Sequence, residues 1–455
     1  MPRLRLALAM LPLTACQAGV CTAGELSSAL DAAGAGDVVT VGPCEIRGAF
    51  TVPAGVTLRG AGALTTLGSI EGGAAVLDLS AGSATRLEAL TIAVDHGGYG
   101  VRARGARDVV VRELAVTVTR GIALGLRDGS ATLVGVQLDG PIDATNAATA
   151  PSDPALTGAF GLTALDSTIH LEALRARGFA VGAVTVEGGA LEWIDDDDVA
   201  DVEATLDMGI GLFGVRATLD GVEVSGMLSG FDRPGFAIVA ATSSTGAPTE
   251  LTATGARIAT GEGYGVLSDG SDVVLESVTI EELGLVGVHA QAGGSLRATD
   301  VVVRGNGGAG LAAIDLREVV LERSTFSEQR TASLTDGGAT VRAADGVHVR
   351  RTSASAAAID LVATDVTLID NARTGLLIDA ADTAPGRLAL SGVRVGASDP
   401  AALGAIAQRA MVPAGWDAGV VREGVTISND ASFVGTIDPV GILMPPTLVA
   451  RPPAP

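Results

Sequence analysis

Between residues 264 and 311 short runs of alternating apolar and polar residues recur along the chain. YGVLSDGSDVVLESVTIEELGL is followed by VGVHAQAGGSLRATDVVVRGNGG and then AGL. A Gly followed by an apolar residue opens each unit, at Gly265, Gly287 and Gly310, with spacings of 22 and 23 residues. Alternation with period two marks strands with one buried side. The Gly, Asp and Ser clusters between them mark turns. A unit of this length cannot bury its own Val and Leu, but stacked units bury each other's and satisfy each other's backbone groups. The pattern therefore predicts successive turns of a parallel β-helix, right-handed because crossovers between parallel strands are.

The same phase recurs elsewhere. Tyr99-Gly100-Val101 matches Tyr264-Gly265-Val266, and both are followed by a Gly six residues after the Tyr, at Gly105 and Gly270. Ala298-Thr-Asp300-Val matches Ala363-Thr-Asp365-Val; Asn306 and Asn371 follow six residues after each Asp, and Gly310-Leu311 and Gly375-Leu376 follow ten after. The 65 residues between these sets read as three turns of just under 22. Asn306 and Asn371 resemble the buried asparagine ladders of β-helix turns, which bond the neighbouring turn's backbone. About fourteen rungs would form a rod of roughly 65–70 Å. Residues 140–158 and 229–252, rich in Pro, Ala, Ser and Asp, read as loops off the rod. Asp399-Pro400 predicts a helix through about Arg409, with Asp399 at the N-cap and Pro400 at the first helical position. Residues 412–440 read as irregular with two strands, and the Pro-rich tail to residue 455 as poorly ordered.

Near the start, Thr22 and Glu25 fit a capping box, and Leu26, Ala29, Leu30 and Ala33 follow at helical spacing. A short helix here would cover the open end of the coil, where apolar core and unpaired strand edges are exposed. Asp37-Val-Val-Thr-Val41 and then Val52-Pro-Ala-Gly-Val-Thr-Leu-Arg-Gly60 come next. Helix, GDVVTVGPC and VPAGVTLRGAG together resemble the entry segment of right-handed parallel β-helix proteins, the pectate-lyase-like superfold. The resemblance implies an all-β right-handed parallel β-helix over residues 23–411, with an N-terminal capping helix and an irregular C-terminal cap over 412–455. It implies a fold and no activity.

Composition narrows the partners. Apolar residues make up 47% and aromatics 3%, so the core is built from Val, Leu, Ile and Ala. The net charge of −22 disfavours nucleic acid, which needs basic stripes to displace counterions. All 30 basic residues are Arg, which removes every lysine-dependent chemistry, from P-loop to Schiff base.

Arg3 and Arg5 precede a short apolar run, Leu6 to Leu13, and then Leu13-Thr-Ala-Cys16. This resembles a bacterial lipobox. It implies a signal peptide over 1–15, diacylation of Cys16 and a tether over 16–22; the apolar run is too short to span a bilayer. Gln17 in place of Asp points the anchor to the outer membrane, on its periplasmic or cell-surface face. In such an oxidising compartment the remaining pair, Cys21 and Cys44, reads as a disulfide.

Candidates for chemistry are few. Asp195, Asp196, Asp197 and Asp198 form the densest charge in the chain, readable as a solvated loop or as a Ca²⁺ site; no other cofactor is expected. Two GxGxxG matches, at Gly209–Gly214 and Gly305–Gly310, lack the following helix a dinucleotide needs. Polygalacturonase-type relatives carry paired Asp and a Gly-His-Gly element; no GHG occurs here. His96, His170, His289 and His348 are far apart in sequence and share no metal spacing. The expectation is a monomeric, lipid-anchored envelope protein, a non-enzymatic scaffold or binding surface for a glycan or another protein. The alternatives are a polysaccharide lyase or glycoside hydrolase on the same fold, and a calcium-stabilised adhesin.

Overall fold

The computed structural model describes residues 19–143, 145, 158–195, 201–203, 205–229, 234–336, 339–351, 360–380, 387–396, 406–409, 420–423, 426–427 and 445. The chain is an all-β, right-handed parallel β-helix with one short helix. The expected signal peptide, Cys16 and most of the Pro-rich tail lie outside the described residues.

Each turn lays down three strands, which stack on those of neighbouring turns into three parallel sheets. Sheet A runs from Phe50–Val52 through Ala75–Leu79 and Tyr99–Arg104 to Thr374–Ala380 and Ile406–Arg409. It holds fourteen strands among the described residues. Sheet B begins with Val38–Thr40 on Thr57–Arg59, and sheet C with Glu45–Arg47 on Thr66–Gly68. Where the turn between two sheets is tight, one strand bends through both: Gly158–Glu172 pairs with Gly121–Arg127 in A and with Ser130–Val134 in B.

The interior is a continuous column of Val, Leu, Ile and Ala from Leu26 to Val395. The glycines that open each unit exist because the turns stack too closely for a side chain. A Cβ on Gly265 would lie 2.3 Å from the Gly287 carbonyl oxygen, and one on Gly287 would lie 2.5 Å from Val303 Cγ1. The turn from B to C places one residue per rung at positive φ: Gly255, Ser277, Asp300, Arg323, Asp365 and Gly392, all between 46° and 63°. Asp tolerates this conformation better than most side chains, which is why the repeated ATDV motif carries its Asp there.

Helix Ala23–Ala32 closes the first turn. Thr22 accepts from the Glu25 amide, and the Glu25 carboxylate accepts from the Thr22 amide at 3.1 Å. Leu26 and Leu30 are buried on the coil end. Cys21 and Cys44 form a disulfide with Cα atoms 5.8 Å apart.

Several expectations need correction. The 65 residues from Asn306 to Asn371 span two rungs, not three. Val303 pairs with Phe326 and Phe326 with Leu368. The second rung is swollen by an insertion that includes the antiparallel hairpin Ala332–Asp336 with Ala339–Ala343. Residues 229–252 are not a loop throughout. They contain the sheet A strand Phe236–Ala241, buried along its length, and reach the sheet B strand Glu250–Thr254. In place of the helix expected from Asp399 to Arg409, Ile406–Arg409 is a strand paired with Leu376–Asp379; an open strand edge outweighs a local capping signal. By contrast, the two strands expected within 412–440 are present as Val420–Glu423 and Thr426–Ile427, and they carry the coil's pairing past residue 411. Within residues 16–22, expected as a tether, Val20 bridges Val41 and is tied into the first turn.

Candidate functional site

Over its middle rungs sheet A carries apolar residues on its outward side as well as its inward one. In Phe236–Ala241 the residues Ile238 and Ala240 join the interior, while Phe236, Val239 and Ala241 join a second, separate cluster. Alternation places that cluster on the outward side of the sheet. It also holds Phe160, Met208, Tyr264, Leu267, Val286, Ala309 and Ala312. Phe236 stacks on Tyr264 with ring centroids 5.2 Å apart. The hairpin contributes Ala332 and Ala343 to the cover.

Inside this covered layer sits the densest buried set of titratable groups. One outward row runs Leu267, His289, Ala312, His348, Leu377 across successive rungs. Both histidines are fully buried. His289 Nε2 lies 3.1 Å from Gln291 Oε1, and the ring meets Tyr264 edge-on at 6.1 Å. Its Nδ1 has no hydrogen-bond partner among the described residues. Burial first, and then the neighbouring His348, push its pKa down to about 4, so it is neutral at pH 7. Burial likewise pushes the Tyr264 hydroxyl up.

His348 and Asp345 leave the same strand. His348 Nδ1 lies 3.3 Å from Asp345 Oδ2, within ion-pair distance. Arg373, from the next rung, grips the fully buried carboxylate with two nitrogens, Nε at 2.7 Å from Oδ1 and Nη2 on Oδ2. Burial pushes the Asp345 carboxyl up, but Arg373 and His348 outweigh it and hold it below the usual carboxylate range. Chemically this is an acid fixed as its anion beside a buried imidazole, with a second imidazole, held neutral, two rungs away. Such a set is competent for proton transfer, but it faces packed side chains rather than solvent.

Sequence spacing hid this set. The histidines share the tripeptide Gly-Val-His, at Gly287–His289 and Gly346–His348. Counting from the register glycine would have placed both in one row. His96 and His170 lie elsewhere. His170, on sheet B, holds Glu192 through Nδ1 at 3.1 Å and Glu172 through Nε2 at 3.0 Å, and the bond to Glu172 raises its pKa.

The other candidates fall as follows. Asn306 Oδ1 accepts from the Leu283 amide at 2.9 Å, and Asn371 Nδ2 donates to the Phe326 carbonyl at 3.1 Å. Between them stands Gln329, which sequence reading missed. Its Oε1 accepts from the Asn306 amide at 3.1 Å, and its Nε2 donates to the carbonyls of Val303 and Ser327. Asp195 is buried at the end of the strand Gly182–Ile194, so it is not part of a solvated loop. Asp196, Asp197 and Asp198 lie outside the described residues. Among the described residues no cluster of three His, Cys, Asp or Glu is arranged to hold a metal ion. Trp193 is a core side chain. Gly209–Gly214 runs along a strand, Met208–Phe213, rather than into a helix.

On sheet C several charged side chains pair with one another across rungs. Arg257 bonds Glu223 and Glu281 at 2.8 Å, and Arg304 reaches Glu281 from the next rung at 2.6 Å. Arg304 in particular holds the Glu281 carboxyl low.

No protein-family model matches the chain, and no curated protein matches it either. It resembles solved β-helix structures. One is the A-module of a mannuronan C-5 epimerase of Azotobacter vinelandii, at 15% identity over 90% of this chain and 94% of that one, with a TM-score of 0.43. Another is the polygalacturonase of Erwinia carotovora ssp. carotovora, at 10% identity over 94% and 97%, with a TM-score of 0.32. A third is the catalytic unit of a GH87 α-1,3-glucanase of Streptomyces thermodiastaticus, at 14% identity over 92% and 68%, with a TM-score of 0.38. At these identities the likeness concerns the fold alone.

Proposed function

We propose that the chain is an exported, lipid-anchored β-helix of the bacterial cell envelope that presents its faces as a binding surface and turns over no substrate. The observation that carries this reading is the burial of His289, Asp345 and His348, with the partly buried Arg373 closing on the Asp345 carboxylate. The described titratable groups that converge most closely face packed side chains, where a sugar ring has no access. Several charges of sheet C, among them Arg177, Arg257 and Arg304, are engaged in rung-to-rung pairs. The net charge of −22 favours a neutral glycan or a protein with a basic surface over an acidic polysaccharide.

The test is a screen of the purified protein on polyuronates and neutral glycans, with and without Ca²⁺, following unsaturated products and new reducing ends. Robust turnover overturns this reading. It would favour the second one, a polysaccharide lyase or glycosidase, for which the buried histidine–aspartate pair is the one supporting observation. Calcium titration by calorimetry tests the adhesin reading, which rests on the Asp195–Asp198 run alone; no heat and no melting shift remove it.

A further inference from the structure

The first residues described are not a free tether. Val20 donates to the Thr40 carbonyl at 3.1 Å and accepts from the Gly42 amide at 3.0 Å, so it lies as an added edge on the first turn. Gly19 packs so tightly there that a Cβ would fall 2.4 Å from the Gly42 nitrogen. Cys21 is then locked to Cys44. Gly19 is three residues from Cys16, and three residues span about 10 Å at most.

Resting on the lipid-anchor reading above, we propose that this leash stands the coil upright, with its N-terminal end against the bilayer and the rod projecting away. Two facts carry this. The stitched segment leaves from the first turn, so the end of the rod stays within about 10 Å of the surface whatever its tilt. The protein carries a net charge of −22, and a rod lying flat would bring a whole sheet of it within a Debye length, about 8 Å, of a negatively charged leaflet. Standing upright leaves only the first rungs there. The partner of the capped end is therefore a lipid surface, and the ligand-binding faces are held clear of it.

Single cysteines at two exposed positions test this in proteoliposomes of the full acylated chain containing anionic lipid. Leu64, 69% exposed, lies near the first turn, and Ile369, 37% exposed, lies far along sheet C. The two are separated by roughly 50 Å of stacked rungs. With a dye on Leu64→Cys or Ile369→Cys and an energy acceptor in the lipid headgroups, transfer should be strong from the first and weak from the second. Inserting twelve Gly/Ser residues between Ala18 and Gly19 should lower transfer at position 64 severalfold. Equal transfer from both positions, or no effect of the insertion, overturns the upright leash. Mass spectrometry of the N-terminal peptide reports separately on the anchor. An unacylated Cys16 removes the anchor and this inference with it, whereas an acylated Cys16 with equal transfer removes this inference alone.

Discussion

Gln329 is the sharpest test of how the coil is held. Its side chain fills the rung between Asn306 and Asn371, and Gln329→Leu keeps the volume while removing every polar atom. The Asn306 amide, which donates to Gln329 Oε1, is left buried without that acceptor. An orphaned buried amide costs about 1–3 kcal/mol. The Val303 and Ser327 carbonyls each lose a bond from Nε2. The Ser327 carbonyl still accepts from the Gly305 amide, so these losses are nearer about 0.5–1.5 kcal/mol each. Leucine returns about 1–2 kcal/mol of apolar burial, leaving a net destabilisation of about 2–3 kcal/mol. In a stacked array such a loss is local, because each rung touches only its neighbours. Two assays read it: the urea midpoint, and hydrogen exchange at the Asn306 and Ala372 amides. Asn306 exchange should accelerate markedly. Ala372, which donates to the Gln329 backbone carbonyl, should change less. An unchanged midpoint with unchanged exchange at Asn306 would refute the ladder as a source of stability.

Arg373→Ala leaves the Asp345 charge buried without its main partner and should cost about 3–5 kcal/mol, read as a lowered melting temperature; the double variant Arg373→Met with Asp345→Asn should recover most of it. His289 stays neutral in the folded chain down to about pH 4, whereas unfolded it takes a proton near 6.5; the unfolded state then binds more protons, so stability should fall by about 3 kcal/mol as pH drops from 6.5 to 4, and His289→Gln should flatten that slope. His170 behaves oppositely, because its pKa is raised. Its contribution is complete below 6.5 and lost as pH rises through the folded value, and His170→Gln should abolish that loss in denaturation midpoints taken across neutral pH. Reducing Cys21–Cys44, a loop of sequence separation 23, should cost about 3 kcal/mol, with exchange protection lost first in Ala23–Ala32.

The parts of the fold legible in the sequence were those where geometry admits few residue types. Gly265, Gly287 and Gly310 had to be glycine because the next turn's backbone or side chains lie where a Cβ would sit, so their spacing reported the rung length directly. Asp300 and Asp365 marked the positive-φ corner for a similar reason. An average period misled where a rung was enlarged: 65 residues divide evenly by about 22, yet an inserted hairpin makes them two rungs. Gln329 escaped because a ladder position is defined by its hydrogen bonds, and Gln serves them as Asn does. The set at Asp345 was invisible to linear motifs, because a solenoid brings residues together by rung position. Arg373 acts across a rung boundary that no short pattern spans. The apolar run Phe236–Ala241 did carry a readable signal, since six residues without a polar alternate cannot have one side in water.

That last point bears on how the insertions arose. On sheets B and C the outward positions are mostly charged residues and Thr, with scattered apolar ones such as Val320 and Ile369, so a regular turn there needs little cover. Sheet A departs from this in the rungs from Phe160 to Leu377, where Phe, Met, Val, Leu and Ala stand outward beside the histidines and a few polar residues such as Thr185 and Gln291. An outward apolar row exposed to water would cost free energy on every rung, and it is tolerated only under a cover. The hairpin from Ala332 to Ala343 interrupts the coil within this stretch and lends two alanines to that cover. The enlarged rung and the apolar row are therefore two halves of one arrangement. Once the row was covered, Asp345, Arg373 and the histidines could persist beneath it only by satisfying one another. Their pairing is explained by the need to bury them, and no catalytic role is required to account for it.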